Sequence, residues 1–234
     1  MLECKNLIKK YRNKAAVDDL SLQLETGRIY ALLGPNGSGK TTFMKIAAGL
    51  VKPTSGEIFF EQQPIGVFSK SQVAYMPTEA YFYTYMTGKD VGLYYQDFFE
   101  DFSMEKYSAL LSTMDLDPSQ KVSKMSSGMM AKLKIAVTLS RNAKLIMLDE
   151  PLNGIDIIAR DRIIRTILDS FTPEKTFVLS SHLVDELEKV IDHAIFIKNG
   201  RLMLEGDAEL IRQEHGKSIV DMYKEIYAEV VPGF

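Results

Sequence analysis

The sequence has little of the features that mark secreted, membrane-spanning or nucleic-acid-coating proteins. It contains one cysteine, Cys4, which cannot form an internal disulfide, and its start, MLECKNLIKKYR, has no apolar stretch of signal-peptide length. Its longest apolar runs fall well short of the ~20 residues that a membrane-spanning helix needs. Its formal charge is -3, whereas proteins that coat nucleic acid usually carry a basic excess. These absences predict a cytosolic chain without a membrane span, although a local basic patch is compatible with them.

The chain instead shows alternating predicted strands and helices over 234 residues of ordinary globular composition. A nearly all-apolar predicted strand at 28–33 ends at a glycine-rich turn and is followed by a helical pattern at 42–50. Strand and helix alternate again from residue 145, with predicted helices at 156–170 and 182–190. Residues 88–141 are rich in helix formers and indicate a mostly helical insert. This order predicts an α/β domain with a parallel sheet, and no linker or repeat divides it.

The glycine-rich turn carries the pattern GxxxxGK[ST], as GPNGSGKT at 34–41. Glycines there allow successive backbone N–H groups to point at phosphate oxygens, and the following helix adds its positive end. Lys40 is predicted to contact the terminal phosphates of a nucleotide, and Thr41 to place its hydroxyl on Mg²⁺. The predicted nucleotide-binding residues of this turn are Gly34, Pro35, Asn36, Gly37, Ser38, Gly39, Lys40, Thr41 and Thr42.

Two carboxylates follow a second apolar strand, in LIMLDE at 145–150. The carboxyl ends of parallel strands face one crevice, on the side where the glycine turn also lies. Asp149 is therefore predicted to reach the Mg²⁺ shell, and Glu150 to orient or deprotonate an attacking water. A buried strand that ends in a helix-capping acid is the alternative, and the phosphate turn favours the catalytic interpretation.

A third motif points to a family. Ser126, Ser127 and Gly128, within KMSSGMMAKLKIAVTLSRNAKLIMLDEP, match the cassette signature LSGGQ, and the chain resembles the ATP-binding subunit of ABC transporters over nearly its whole length. The resemblance implies a P-loop NTPase fold of the ABC ATPase type, with a mostly parallel core sheet, an N-terminal antiparallel β part and a helical subdomain. It also implies one domain over 1–234, with the helical subdomain at about 88–141. An isolated SSG before a helix would otherwise indicate a helix cap.

The resemblance assigns roles to further residues. Ser126 and the amide of Gly128 are expected to bind the γ-phosphate of ATP held by a second cassette. Asp156, in PLNGID, stands in the loop through which two cassettes contact each other. His182, after the strand ending in VLSS, is expected to contact the γ-phosphate and the catalytic glutamate. Tyr11 stands where cassettes stack an aromatic ring on adenine, a contact worth about 1–3 kcal/mol by analogy with base stacking.

Two positions depart from the family pattern. Thr78, in YMPTEA, replaces the glutamine that ligands Mg²⁺ and links the site to the transporter. Its hydroxyl is a shorter oxygen donor, so two alternatives are open: Thr78 acts through a water, or Glu79 takes the metal. Met129 replaces the glutamine that usually ends the signature. Both changes predict weaker or slower hydrolysis in an unchanged fold.

The implied function is hydrolysis of Mg²⁺–ATP by two cassettes that close face to face, as a homodimer or with a paralogous cassette. Glu150 would position water, while Lys40, His182 and Mg²⁺ meet the developing charge. A separate membrane-spanning permease subunit is expected to dock near 78–107, with this chain peripheral on the cytoplasmic face of the cell membrane. The compact length and the stretch GLYYQDFFEDF resemble bacterial single-cassette exporters that handle drugs, peptide antibiotics or cell-envelope stress.

Two other functions stay open. A soluble ABC-type ATPase acting on nucleic acid or ribosomes usually carries two cassettes or a long coiled-coil insert; the acidity and short insert favour neither, so no nucleic acid is expected. A nucleotide-gated regulatory subunit that hydrolyses little is compatible with Thr78 and Met129.

Aromatic residues concentrate in one stretch: 11 of the 23 Tyr and Phe lie between Tyr75 and Tyr107. The spacing of residues 94, 95, 98 and 99 predicts that most of them face inward from a helix. The consecutive aromatics at 81–85 lie in a turn-like stretch and cannot all face inward. Some are therefore predicted to be exposed and to form the docking surface.

Overall fold

Two β-sheets and nine α-helices make up residues 1–228, the part of the chain that the computed structural model describes. The strands are β1 Leu2–Tyr11, β2 Lys14–Leu24, β3 Ile29–Leu33, β4 Ser55–Phe60, β5 Gln63–Pro64, β6 Val73–Met76, β7 Leu145–Asp149, β8 Thr176–Ser181, β9 His193–Lys198 and β10 Arg201–Asp207. The α-helices are α1 Lys40–Ala47, α2 Val67–Gln72, α3 Gly88–Phe98, α4 Met104–Thr113, α5 Ser127–Leu139, α6 Ile157–Asp169, α7 Val184–Leu187, α8 Ala208–His215 and α9 Ile219–Tyr227. The closing VVPGF, which the sequence predicts to be a docking or frayed tail, lies outside the described residues.

The larger sheet has six strands in the order β10-β9-β3-β8-β7-β6. The edge strand β10 pairs antiparallel with β9. The other five strands pair in parallel with one another. Strand β3 is buried on both faces, as its apolar composition predicts. Tyr30 and Leu32 join the core shared with the smaller sheet, whereas Ala31 and Leu33 join the core shared with the helices. Because successive side chains of β3 point to opposite faces of the sheet, this one strand contributes to both cores.

The smaller sheet is the N-terminal antiparallel one, in the order β2-β1-β4-β5. Several of its apolar side chains, among them Leu2, Leu20 and Phe60, are fully buried in a core that also contains residues of β3 and α1. Ala16 of β2 is thereby held beside Gly39, at the start of α1. The predicted fold, a mostly parallel sheet with an antiparallel N-terminal part and a helical portion, is confirmed.

Helices α3, α4 and α5 lie within the range 88–141, where the sequence predicts a helical insert. Helices α3 and α4 pack closely because Gly92 has no side chain: a Cβ there would lie 2.4 Å from the ring of Tyr107. The Tyr107 hydroxyl donates a 2.6 Å hydrogen bond to the carbonyl of Gly88. Arg141, after α5, pairs with Asp101 at 2.6 Å and ties the end of the insert to its middle.

Two sequence predictions were wrong in extent. The helix predicted at 182–190 is the single turn α7, Val184–Leu187. Two of the four aromatics predicted to face mostly inward are exposed: Tyr94 at 37% and Phe98 at 67%. No helix within residues 1–228 combines the length and the apolar composition needed to cross a bilayer.

Candidate ATP-binding and hydrolysis site

Four parallel strands end at the same edge of the larger sheet, and a predicted site segment lies at the end of each one. Strand β3 leads into the glycine turn, β6 into Thr78, β7 into Asp149 and Glu150, and β8 into His182. The register aligns these ends, because Leu33 pairs with Ser181 and Asp149 pairs with Ser180. The predicted site segments therefore lie close together because the carboxyl ends of these parallel strands are in register.

The glycine turn wraps around the amino group of Lys40. Gly37 and Gly39 have φ angles of 81° and 114°, which favour glycine, and a Cβ on Gly39 would lie 2.4 Å from the carbonyl oxygen of Ala16. Helix α1 begins at Lys40, whose Nζ donates hydrogen bonds to the carbonyls of Gly34 at 2.6 Å and Pro35 at 3.3 Å. The turn and the start of α1 thus form a concave surface of backbone N–H groups suited to phosphate.

Glu150 lies at the centre of the charged groups. Its backbone is in the left-handed region at φ 52°, which costs a non-glycine residue about 1–3 kcal/mol. Its Oε2 lies 2.8 Å from Nδ1 of His182, and its Oε1 lies 3.5 Å from Nζ of Lys40. Within the described residues, Glu150 Oε1 and Ser38 Oγ are buried without a hydrogen bond. The site therefore holds polar atoms with free capacity for a ligand.

Asp149 lies behind this charged group and is fully buried. Its Oδ1 accepts a 2.5 Å hydrogen bond from the Ser180 hydroxyl, and its Oδ2 accepts a 3.2 Å bond from the Tyr75 hydroxyl. The Ser180 hydroxyl also accepts a 3.0 Å bond from the backbone N–H of Glu150. Burial and the neighbouring Asp149 raise the pKa of Tyr75, which keeps it a donor. The carboxylate of Asp149 and the backbone of Glu150 are thus both held in place by Ser180.

An open cleft of about 450 Å³ lies above the glycine turn. It brings together many of the predicted residues, while Asp149 and the signature do not line it. Its lining residues are Tyr11, Lys14, Ala16, Asn36, Gly37, Ser38, Gly39, Lys40, Thr41, Thr42, Thr78, Glu150, Asn153 and His182. Tyr11 ends β1 with its side chain 49% exposed, and the Lys9 ammonium lies 5.2 Å from its ring centroid.

Thr78 lines this cleft, and its neighbour Glu79 is turned elsewhere. The Thr78 hydroxyl donates a 3.3 Å hydrogen bond to Glu79, which also accepts a 2.8 Å bond from Lys45 on α1. The bond from Lys45 is the main cause of a lowered pKa at Glu79. Glu79 is thus engaged with α1 in this structure, and Thr78 is the oxygen donor on the cleft side.

The signature and the PLNGID loop act here as helix caps. The Ser126 hydroxyl accepts a 3.2 Å hydrogen bond from Met129 N–H at the start of α5, and Asp156 accepts a 2.9 Å bond from Ala159 N–H at the start of α6. Ser127 lines a neighbouring cleft of about 340 Å³, which shares Thr78 and Glu150 with the first one. A Cβ on Gly128 would lie 3.1 Å from the Gly154 carbonyl oxygen, so the two loops touch.

Comparisons with known proteins agree with this geometry. Residues 17–153 match the family model described as ABC transporter. A lantibiotic transport ATP-binding protein of Streptococcus pyogenes is 35% identical over 216 residues, which cover 88% of this chain and 90% of that protein. The chain belongs to the ABC transporter family.

Solved structures extend the likeness to three dimensions. This cassette superimposes on the ATP-binding subunit of an ABC transporter with a TM-score of 0.86 and 25% identity, over 97% of this chain and 99% of the other. A dimeric post-hydrolysis structure of an ATP-binding cassette bound to ADP and phosphate gives a TM-score of 0.78 over 88% of this chain and 98% of that one. At 20% sequence identity, this likeness supports only the assignment of the fold.

The oxygen donors of this cassette suit Mg²⁺. Thr41 at the start of α1 offers a hydroxyl, Thr78 offers another from the facing loop, and Asp149 offers a carboxylate with one bond on each oxygen. Hard oxygen donors and a few waters are what Mg²⁺ binds in nucleotide sites. The described residues contain no cluster of three or more His, Cys, Asp and Glu that could hold a metal ion.

Sequence reasoning missed several residues of the cassette site, among them Ser180, Tyr75 and Asn153. Ser180 and Tyr75 hold Asp149, and Asn153 lines both clefts. Ser180 had a usable signal, because it precedes His182 at the end of a predicted strand beside β7. Tyr75 had none, since the order of strands across the sheet is needed to place it next to Asp149.

Proposed function

We propose that this chain is the ATP-hydrolysing subunit that drives export through a separate membrane-spanning partner. It would be one ATPase domain in which α3, α4 and α5 form the helical subdomain, at about 88–141. The observation that carries the proposal is the placement of Glu150 between His182 and Lys40, directly above a phosphate-binding turn. Export as the direction rests on the resemblance of residues 92–102 to single-cassette exporters.

Each group in the cleft has a defined task in this proposal. The ring of Tyr11 stacks on adenine, and the N–H groups of residues 36–42 hold the phosphates. Glu150 accepts the proton of the attacking water, His182 holds its carboxylate in place, and Lys40 balances the charge that develops on the γ-phosphate. Bound Mg²⁺, held by Thr41 and reached by Asp149 and Thr78, would neutralise phosphate charge and orient the leaving group.

A second cassette completes the site in this proposal. Ser126, the amide of Gly128 and Asp156 do not line the cleft of their own chain. They lie instead at the starts of α5 and α6, whose positive ends suit a phosphate approaching from outside. Two copies, or this chain and a paralogous cassette, would each offer this surface to the ATP of the other.

The membrane partner is expected at an aromatic patch on the helical portion. We call Tyr83, Tyr85, Tyr94 and Phe98 the docking patch. Their rings form a continuous row, with centroids 5.5 Å apart for Tyr83 and Tyr85, 6.1 Å for Tyr83 and Tyr94, and 4.7 Å for Tyr94 and Phe98. An exposed row of aromatics beside charged residues is typical of an interface. This chain would then lie on the cytoplasmic face of the cell membrane.

The substitution Glu150→Gln tests the chemistry. It removes the proton acceptor and keeps the shape, so the ATPase rate is expected to fall by about 10²–10⁴-fold. ATP binding is expected to persist, and the variant is expected to accumulate as an ATP-bound dimer in size-exclusion chromatography. Glu209→Gln, at a carboxylate that pairs with Arg212 on α8 and lies outside the cleft, is the control and should keep most of the activity.

Two outcomes would overturn parts of the proposal. Equal ATPase rates in the parent and in Glu150→Gln would refute the role of Glu150. A parent chain that binds ATP but shows no turnover, even with its partners, would favour a nucleotide-gated regulatory subunit.

A further inference from the structure

Lys134 is a buried lysine that connects two parts of the cassette. It lies on α5, two turns after Ser127, and is only 6% exposed. Its ammonium donates hydrogen bonds to two successive carbonyls, Pro77 at 2.9 Å and Thr78 at 2.8 Å. These carbonyls belong to the segment that leaves β6 and enters the helical portion. The side chain therefore spans from the signature helix to the loop that carries Thr78.

Burial makes this contact costly to leave unmade. A lysine ammonium is normally solvated, and a buried one requires compensating acceptors. Burial lowers the pKa of Lys134, and the carboxylates of Glu79 and Asp149 oppose that shift. Charge-assisted hydrogen bonds are stronger than neutral ones, so two of them to adjacent carbonyls fix the backbone at residues 77–78.

The contact continues on the other side of Thr78. The Thr78 hydroxyl donates to Glu79, and Glu79 accepts from Lys45 on α1, the helix that follows the phosphate turn. Helix α5 is thus linked through this loop to helix α1. The short side chain of Thr78 makes the position of its backbone decisive for where its hydroxyl lies.

We propose that Lys134 is a positioning residue that holds the loop at 77–79 against the signature helix and thereby sets where the Thr78 hydroxyl lies at the Mg²⁺–ATP cleft. A movement of α5 when cassettes pair would then reposition Thr78 directly. The inference rests on the proposed ATP hydrolysis. In it, the contact between α5 and the loop at 77–79 is made by Lys134 of α5, because the Thr78 side chain is short.

The test compares three variants of the full chain. Lys134→Met removes the donors and keeps an unbranched side chain, Lys134→Arg keeps the charge and donors, and Lys132→Met is the matched control. Lys132 lies on the same helix but donates to the carbonyl of Met114, within the helical portion. Lys134→Met is expected to lower kcat about tenfold, because a displacement of ~1 Å costs up to about 10²-fold, while the Kd for ATP stays within about twofold.

A second readout follows the loop itself. In hydrogen–deuterium exchange, peptides covering residues 77–80 should exchange faster in Lys134→Met than in the parent, without nucleotide. Lys134→Arg should restore kcat and exchange towards parent values, and Lys132→Met should match the parent in both. If Lys134→Met does not fold, Lys134→Leu, which also lacks a donor, is measured in its place with the same expectations.

The inference is overturned if Lys134→Met keeps the kcat and exchange of the parent, or if Lys132→Met reproduces its defects. A parent without ATPase activity would instead contradict the proposed hydrolysis, so the two failures are distinguishable.

Discussion

At the scale of single residues, one serine hydroxyl organises both acidic groups of the site. Ser180 donates to Asp149 and accepts from the N–H of Glu150. Removing a buried hydroxyl that serves a charged partner costs about 1–3 kcal/mol. We therefore expect Ser180→Ala to lower the free energy of unfolding by about this amount and to lower kcat as well, because the Asp149 carboxylate and the backbone of Glu150 are no longer fixed.

The control for this prediction is Ser170→Ala. Ser170 is also buried, and its hydroxyl donates to the carbonyl of Thr166 at the end of α6. Urea denaturation and ATPase assays on both variants separate stability from catalysis. A Ser180→Ala variant with the stability loss of Ser170→Ala and unchanged kcat would show that the hydroxyl supports the fold alone.

At the scale of elements, helix α9 supports the phosphate turn from behind. The hydroxyl of Tyr227 lies 3.0 Å from the carbonyl oxygen of Leu33 and 2.9 Å from that of Ile197, so its single proton is shared between these two acceptors. Leu33 directly precedes the phosphate turn, so this contact connects the last described helix to the nucleotide cleft. Tyr227→Phe is expected to lower the free energy of unfolding by about 1 kcal/mol, measured by urea denaturation.

The matched control is Tyr223→Phe, one turn earlier on α9. The described residues offer the Tyr223 hydroxyl no hydrogen bond, while its ring packs on that of Tyr227 with centroids 4.5 Å apart. This variant should be close to the parent in stability. A larger loss in Tyr223→Phe than in Tyr227→Phe would contradict the role given to the Tyr227 hydroxyl.

Helix α7 shows why some elements could not be predicted from sequence. The apolar spacing predicts a helix to residue 190, but the N–H of Val190 donates to the carbonyl of Leu187, three residues back, and the N–H of Asp192 donates to the carbonyl of Ile29 at 2.9 Å. The carboxylate of Asp192 in turn accepts from the N–H of Ile29 at 2.8 Å. The chain thus leaves the helix to join β3, a choice set by tertiary pairing. Strand β3 and the phosphate turn were predictable because their signals are local.

Helix α3 was predicted correctly as a helix and wrongly in its orientation. Spacing alone allows Tyr94 and Phe98 to face inward, but the close approach of Tyr107 at Gly92 fixes the inner face of α3 around Val91 and Gly92. Tyr94 and Phe98 then point to solvent. This packing creates the docking patch, and no local pattern in the sequence encodes it.

At the scale of the whole molecule, the docking patch predicts how the cassette meets its partner. Aromatic residues at the centre of an interface often cost at least about 2 kcal/mol when truncated, which is roughly thirtyfold in affinity. The double substitution Tyr94→Ser and Phe98→Ser should therefore strongly reduce recovery of a multispan membrane protein with the tagged cassette after detergent extraction. Thermal stability should change little, because both side chains are exposed. Leu210→Ser, at an exposed apolar residue on α8, should leave recovery unchanged.

Two outcomes would contradict this prediction. Equal recovery of the membrane protein with the double variant and with the parent would place the partner elsewhere on the cassette. Retention of the parent on nucleic acid, without any membrane protein, would favour the soluble ATPase instead.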